Sequence, residues 1–152
     1  MPAKIAVMIA LVIVAMLAGW LATRLKKREI APVTEHWLRR GPGHVPYALI
    51  YTGIYGIVLA WAASHWPLTE LSNEVFYVFV ASLAFFSRLP WWWEYRGRGG
   101  YFVGRKVIPQ ATIVRETCVA GKNPQLNLAI RDGLREAIVT VRVPARLARD
   151  GG

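Results

Sequence analysis

Three uncharged apolar stretches set the pattern of the N-terminal part of the chain: residues 5–22, 45–64 and 75–87 contain no Asp, Glu, Lys or Arg. A helix needs about 20 apolar residues to cross about 30 Å of hydrocarbon. The first two stretches meet that length, and the third meets it when carried on to Trp93. Past Gly100 the pattern changes period. Residues 101–109 and 111–119 are rich in Val, Ile, Tyr and Thr, as strands are. Leu126, Leu128 and Ile130 then alternate with Asn127, Ala129 and Arg131, and Ala137, Val139, Val141 and Val143 alternate with Glu136, Ile138, Thr140 and Arg142. Asp132-Gly133 between these two runs is a hairpin signal. The pattern predicts an α+β chain: three transmembrane helices followed by a small antiparallel β domain of four strands. Pro144 stops the last strand, and 145–149 form one basic helical turn.

This reading divides the chain at its composition shifts. Residues 1–23 are the first membrane helix. Residues 24–44 are a basic loop, within which Pro32 opens a short interfacial helix from Val33 to Arg40 that sets Trp37 among headgroups. Residues 45–95 are a helical hairpin, because a link as short as His65 to Glu74 makes its two helices antiparallel neighbours. Residues 96–100 are a basic Gly-rich hinge, and 101–152 are the β-rich domain. Trp66 and Tyr77 fall near one membrane interface. Trp91, Trp92, Trp93 and Tyr95 fall near the other and are expected to act as membrane anchors, since an aromatic ring with a polar edge suits headgroup depth.

Charge gives these helices a direction. All nineteen Lys and Arg residues except Lys4 lie in the loop after the first helix or beyond the third, and the link between the second and third carries only Glu70 and Glu74. Loops rich in Lys and Arg stay in the cytoplasm. The expected placement is the bacterial inner membrane, with the N-terminus periplasmic and the C-terminus cytoplasmic. A signal peptide fits poorly: the stronger charge follows the apolar run, and Trp20 occupies the −3 position of the one cleavage site after Ala22. The formal net charge of +10 needs no nucleic acid to explain it. Orientation accounts for the basic residues, and anionic headgroups attract them by ~1 kcal/mol each.

Little in the sequence points to catalysis. The three apolar cores hold no ionisable side chain that would mark a proton or ion path. His36, His44 and His65 lack a metal-ligand spacing. The single Cys118 has no His nearby, excludes an intrachain disulfide, and reads as an inert buried thiol. No serine sits in a nucleophile elbow. Residues 97–104 have glycines but not the phosphate-loop spacing. No cofactor, metal or catalytic residue is expected.

Two features suggest contacts. Thr52, Gly56, Ala60 and Ser64 recur every four residues on the second helix, and small side chains at that spacing let another helix approach. That helix is either the third, with Ala81, Ala84 and Ser87, or one from another protein. Tyr47, Tyr51 and Tyr55 form an adjacent stripe whose hydroxyls need partners when buried. The second feature is Arg96, Arg98, Arg105 and Lys106, basic groups just past the third helix that suit anionic lipid or a partner. The β domain is small and has an apolar face to cover, by the cytoplasmic loop, the bilayer or another protein.

Helices followed by a cytoplasmic β domain resemble bacterial membrane-anchored pleckstrin-homology-like proteins. The resemblance is architectural, rests on Tyr101 to Val143, and implies no site residue. The function expected is that of a non-catalytic accessory or assembly subunit of a larger membrane complex, in contact with other membrane subunits and lipid, with homo-oligomers open to it. Its rivals are a stand-alone regulator or exclusion factor acting on a secretion or DNA-transfer machine, and a membrane enzyme acting on lipid through Glu94, Arg88 and Arg96.

Overall fold

The computed structural model describes residues 3–68 and 72–149. Part of the link between the second and third helices, Thr69 to Leu71 with Glu70, lies outside the described residues. The chain is α+β, with helices in its N-terminal part and antiparallel sheets after them. It divides into two compact units, residues 1–23 with 48–90, and residues 24–47 with 91–152.

The first unit is helical. It contains most of α1 (Ala3–Glu29), α2 (Tyr47–Ser64) and α3 (Asn73–Arg88). Three helical segments are long and apolar enough to cross a membrane: Ala3–Glu29, Tyr47–Ser64 and Asn73–Trp92. Ser72 caps α3, its hydroxyl accepting from the Val75 N–H at 3.3 Å and satisfying one of the four free N–H groups that open a helix. α1 comes close to the end of α3 at Gly19, where an added Cβ would stand 3.0 Å from the Ser87 carbonyl oxygen. α2 meets α3 through Tyr55. Its hydroxyl lies 2.8 Å from Ser82 Oγ, and its ring stacks on Phe85 with centroids 4.5 Å apart.

The second unit is a pair of antiparallel sheets. One has the order β1-β2-β3-β4, formed by Val33–Leu38, Trp93–Gly97, Gly100–Val103 and Lys106–Pro109; the other has the order β5-β6-β7, formed by Ile113–Val119, Gln125–Asp132 and Arg135–Arg142. A single apolar cluster joins the inner faces of both. Trp37, Tyr101, Val103 and Ile108 come from the first sheet, and Leu126, Leu128 and Val141 from the second. β3 is buried along its whole length, because Phe102, on its other face, packs with Ile30 and Tyr95. A short helix, α4 (Ala145–Arg149), follows, and Leu147 packs against the main cluster.

Several expectations need correction here. Val33–Leu38 is a strand, not an interfacial helix, and it pairs with β2 so that Trp37 lies opposite Glu94. The 24–44 segment is therefore part of the β unit and helps cover the sheet that lacked a cover. The unit has seven strands among the described residues, three more than the alternation after Gly100 predicts. Tyr101–Pro109 is a hairpin of two strands, not one. Its turn residues Gly104 and Arg105 have φ of 56° and 69°, the pair of positive values a type I′ turn requires.

Residues 96–100 are not a hinge. They are the β2–β3 hairpin, with Gly97 paired to Gly100. The hairpin is pinned at its turn, where the Arg98 N–H donates to Pro32 O at 3.2 Å and the Gly99 N–H to Ile30 O at 3.3 Å. Glycine is required at position 97, since a Cβ there would run into the Ile30 carbonyl. The β6–β7 turn centres on Gly133 and Leu134, one residue later than the Asp-Gly signal places it, with Gly133 at φ 60°.

The α2–α3 hairpin is an insertion between β1 and β2, two strands hydrogen-bonded to each other. The β unit cannot form until the chain on both sides of the hairpin has been made.

Candidate functional site

Polar side chains of the β unit converge at two places in and around the sandwich. The first is a tie between the sheets. Arg96 on β2 reaches Glu116 on β5, Nη2 to Oε1, at 3.1 Å, and Glu35 on β1 at 3.6 Å. The Tyr101 hydroxyl donates to the same Glu116 oxygen at 2.7 Å. Burial, with the Glu116 carboxylate as acceptor, pushes the Tyr101 phenol far above its ordinary value, so it stays a donor at any physiological pH. The Arg96 guanidinium also lies 5.5 Å from the Tyr101 ring centre.

The second is a cleft of about 480 Å³ lined by Arg39, Arg40, Lys106 and Arg142, with Glu94 and Thr140 among its other walls. Three connections bring these groups together. Arg39 and Arg40 directly follow β1. Lys106 opens β4 after the tight Gly104-Arg105 turn. Arg142 closes β7, opposite Gln125 on β6. Glu94 is 5 % exposed, and its Oε2 accepts from the Trp37 indole N–H at 2.8 Å. Arg39 stands 3.8 Å from the other carboxylate oxygen. Burial pushes the Glu94 carboxyl above its usual range, against the opposing pull of Trp37, Arg39 and the Gly104 backbone.

Arg40 Nη1 donates to His44 O at 3.2 Å, and the Arg39 guanidinium lies 5.0 Å from the Tyr47 ring centre. Burial, and then the charges of Arg40 and Arg142, hold the His44 imidazole below its ordinary value. Four cations and one carboxylate line the cleft.

The residues singled out from sequence fall as follows. Of the four basic groups, Arg96 is held by two carboxylates and ties the sheets together. Arg98 is exposed in the hairpin turn. Arg105 lies with its guanidinium 5.3 Å from the Trp91 ring centre, while its carbonyl accepts from Lys26 Nζ at 2.6 Å. Only Lys106 lines the cleft. Of the four aromatic residues expected as membrane anchors, Trp92 and Tyr95 are 7 % and 8 % exposed. Both are buried within the protein, Tyr95 as part of β2. Trp91 and Trp93 are half-buried against the Ile30 and Phe102 cluster.

On α2, Thr52, Gly56, Ala60 and Ser64 are all exposed, and a Cβ added at Gly53 or Gly56 would meet nothing within 4 Å. The side-chain contacts of α2 with α3 among the described residues come from Tyr51, Tyr55 and Trp61, the last packing edge-on to Tyr77 with ring centres 5.8 Å apart, and not from the small-residue stripe. Tyr55 pairs with Ser82, and Tyr51 accepts from Arg88 Nη1 at 3.4 Å. Of the residues weighed for lipid chemistry, Glu94 and Arg96 are both engaged as described. Cys118 is half-buried at the edge of the main cluster, 3.9 Å from the Leu147 carbonyl oxygen. Among the described residues there is no group of three His, Cys, Asp or Glu side chains placed to hold a metal.

Arg39, Arg40 and Arg142 escaped sequence reasoning as site residues, as did Trp37 as the partner of Glu94. Their convergence depends on β1 pairing with β2 across an inserted helical hairpin, and no local pattern announces that. No family model, no curated protein and no solved structure matches the chain.

Proposed function

We propose that this protein is a non-catalytic integral membrane protein of the bacterial inner membrane, serving as an accessory or assembly subunit of a larger membrane complex. In this reading its three apolar helices cross the bilayer, its N-terminus is periplasmic, and the β unit stands in the cytoplasm. The orientation follows from the one-sided distribution of Lys and Arg. Anionic headgroups would hold the basic β unit at the surface.

The observation that carries the partner half of the reading is the open small-residue face of α2. Tyr55 contacts α3, while Thr52, Gly56, Ala60 and Ser64 are exposed, and beyond its chain neighbours and its own helix backbone no described residue lies within 4 Å of where a Cβ at Gly56 would stand. In a bilayer such a face lets a second helix approach to backbone distance. The occupant would be a helix of another subunit or of a second copy.

The test is purification of the tagged full chain in mild detergent, with the particle mass and every co-purifying chain identified, in wild type and Gly56→Leu. A stoichiometric complex that Gly56→Leu disrupts supports the reading. A particle containing one copy of this chain alone overturns it. A C-terminal reporter that scores as periplasmic overturns the orientation.

A further inference from the structure

We infer that the cleft formed by Arg39, Arg40, Lys106 and Arg142 is a binding site for a phosphomonoester, carried either on a lipid headgroup or on a soluble metabolite. This goes beyond the subunit reading, which needs no ligand.

The cations are the first argument. Topology requires basic residues on one side of a membrane, but it is satisfied by any loop position. It does not require four of them to meet from the end of β1, the start of β4 and the end of β7. Their meeting has a cost, because like charges brought together repel. Glu94 offsets one of the four, and its contact is with Arg39. The Lys106 and Arg142 side chains have no hydrogen bond or ion pair with any described residue, and both line the same cleft as Arg40. A net excess of about three positive charges remains in a recess. A dianionic phosphate with three free oxygens matches that excess better than a singly charged diester or carboxylate. Guanidinium groups suit phosphate oxygens because their donors form a planar fork.

The walls are the second argument. The cleft, at about 480 Å³, lies within the size of small-molecule sites and has room for a phosphate and the polar body it esterifies. Its base is fixed. Glu94 is locked by Trp37, and the turn that presents Lys106 is set by Gly104 and Arg105 at positive φ. Preorganised walls lower the ordering cost of binding. Gln125 and Thr140 are neutral hydrogen-bonding residues among its walls, the Thr140 hydroxyl donating to Asn127 Oδ1 at 2.9 Å.

The experiment uses the full chain in nanodiscs. Binding of glycerol 3-phosphate is measured by calorimetry in phosphatidylcholine discs. Separately, enrichment of phosphatidic acid over phosphatidylglycerol is measured by mass spectrometry of co-purified lipid after exposure to an equal mixture. Phosphatidic acid is a monoester and phosphatidylglycerol a diester, so the pair reads the phosphate form against general acidity. Arg142→Gln and Lys106→Gln are compared with Arg135→Gln, an equal charge change at an exposed position on the far turn. A thermal melt of each variant establishes that it is folded, and Arg142→Lys tests a cation that lacks the fork.

The expected result is a loss of about tenfold or more in affinity or enrichment for each cleft variant, the scale of one charge-assisted hydrogen bond, with Arg135→Gln unchanged. Binding of glycerol 3-phosphate assigns the soluble source; phosphatidic acid enrichment with the soluble ester inert assigns the lipid. The proposal is overturned if neither monoester binds. It is equally overturned if phosphatidylglycerol is enriched as strongly as phosphatidic acid, or if Arg135→Gln loses as much as the cleft variants. Loss of complex assembly in Gly56→Leu would leave these readings unaffected, so the two proposals fail separately.

Discussion

The indole N–H of Trp37 donates to the Glu94 carboxylate at 2.8 Å, across two strands that the sequence separates by a complete helical hairpin. The pair sits where an apolar sandwich would be expected to close, and it settles which face of β1 points inward. Both side chains are almost fully buried. Each satisfies a polar group that would otherwise be costly inside the protein.

Glu94 therefore makes the stability of the β unit depend on pH in a direction opposite to that of most carboxylates. Its folded carboxyl is raised above the ordinary value of 4.5, chiefly by burial. The folded state binds its proton more readily than the unfolded state, so this contribution is complete below the unfolded value. It is lost as pH rises from there through the folded value. Glu94→Gln keeps an acceptor for Trp37 and removes the titration. Its melting temperature, followed by tryptophan fluorescence in detergent, should lack the wild-type decline over that window. Glu94→Leu removes the acceptor as well and should cost about 1–3 kcal/mol at neutral pH, the penalty of an unsatisfied buried donor. A Glu94→Gln profile that still tracks wild type through that range would assign the titration to another group.

How much of this was legible varied with the range of the interaction. β6 and β7 follow a strict two-residue alternation, and Leu126, Leu128 and Val141 are buried as that alternation requires. The apolar helices are equally local in origin. β1 was not legible, because Val33, Trp37 and Leu38 fit a helical stripe as well as a strand. What decides between them is pairing with residues 93–97, a non-local contact that no window of the sequence contains. The Gly104-Arg105 turn was hidden for a different reason: Arg105, a residue with a Cβ, occupies a positive φ that glycine or asparagine would have signalled. The cleft inherits both obstacles, since Arg39 depends on β1 and Lys106 on that turn.

Arg96 and Arg98 are two residues apart and should behave differently. Arg96 joins Glu35 and Glu116 across the sandwich, while Arg98 is exposed in its turn. Arg96→Gln should lower stability by about 1 kcal/mol or more, since these pairs are partly screened but the loss leaves two carboxylates facing each other near Tyr101. Arg98→Gln should stay within about 0.5 kcal/mol of wild type, as an exposed substitution does. Equal effects in thermal melts would mean that Arg96 does not tie the sheets.

Within the helical unit, Tyr55→Phe keeps the ring stacked on Phe85 and removes the bond to Ser82. Interhelical hydrogen bonds in membrane proteins average about 0.6 kcal/mol, and the largest reach about 1.7. A loss in that range, measured by detergent-induced unfolding, is the expected outcome, and Ser82→Ala should add nothing to it. Additive losses from the two substitutions would show that the hydroxyls do not act as a pair.

Gly97 offers the sharpest test of the β2–β3 hairpin, because its Cα faces the backbone of residues 30–32. A methyl group there would overlap the Ile30 carbonyl oxygen and lie 2.9 Å from the Pro32 carbonyl oxygen. Neither obstacle is the end of a flexible side chain, so relief requires the hairpin to part from the segment between α1 and β1. That movement would break the Arg98 and Gly99 hydrogen bonds to Pro32 and Ile30. Gly97→Ala should therefore cost about 3 kcal/mol or more, at the upper end for overpacking, and reduce the yield of folded protein. Gly56→Ala, which meets open space on α2, should leave the fold of the isolated chain intact. Were 96–100 a flexible hinge, the two alanines would be tolerated alike, and protease sensitivity at Arg96 and Arg98 would be high in wild type. A protected hairpin in wild type that becomes cleavable only in Gly97→Ala is the outcome the packing requires.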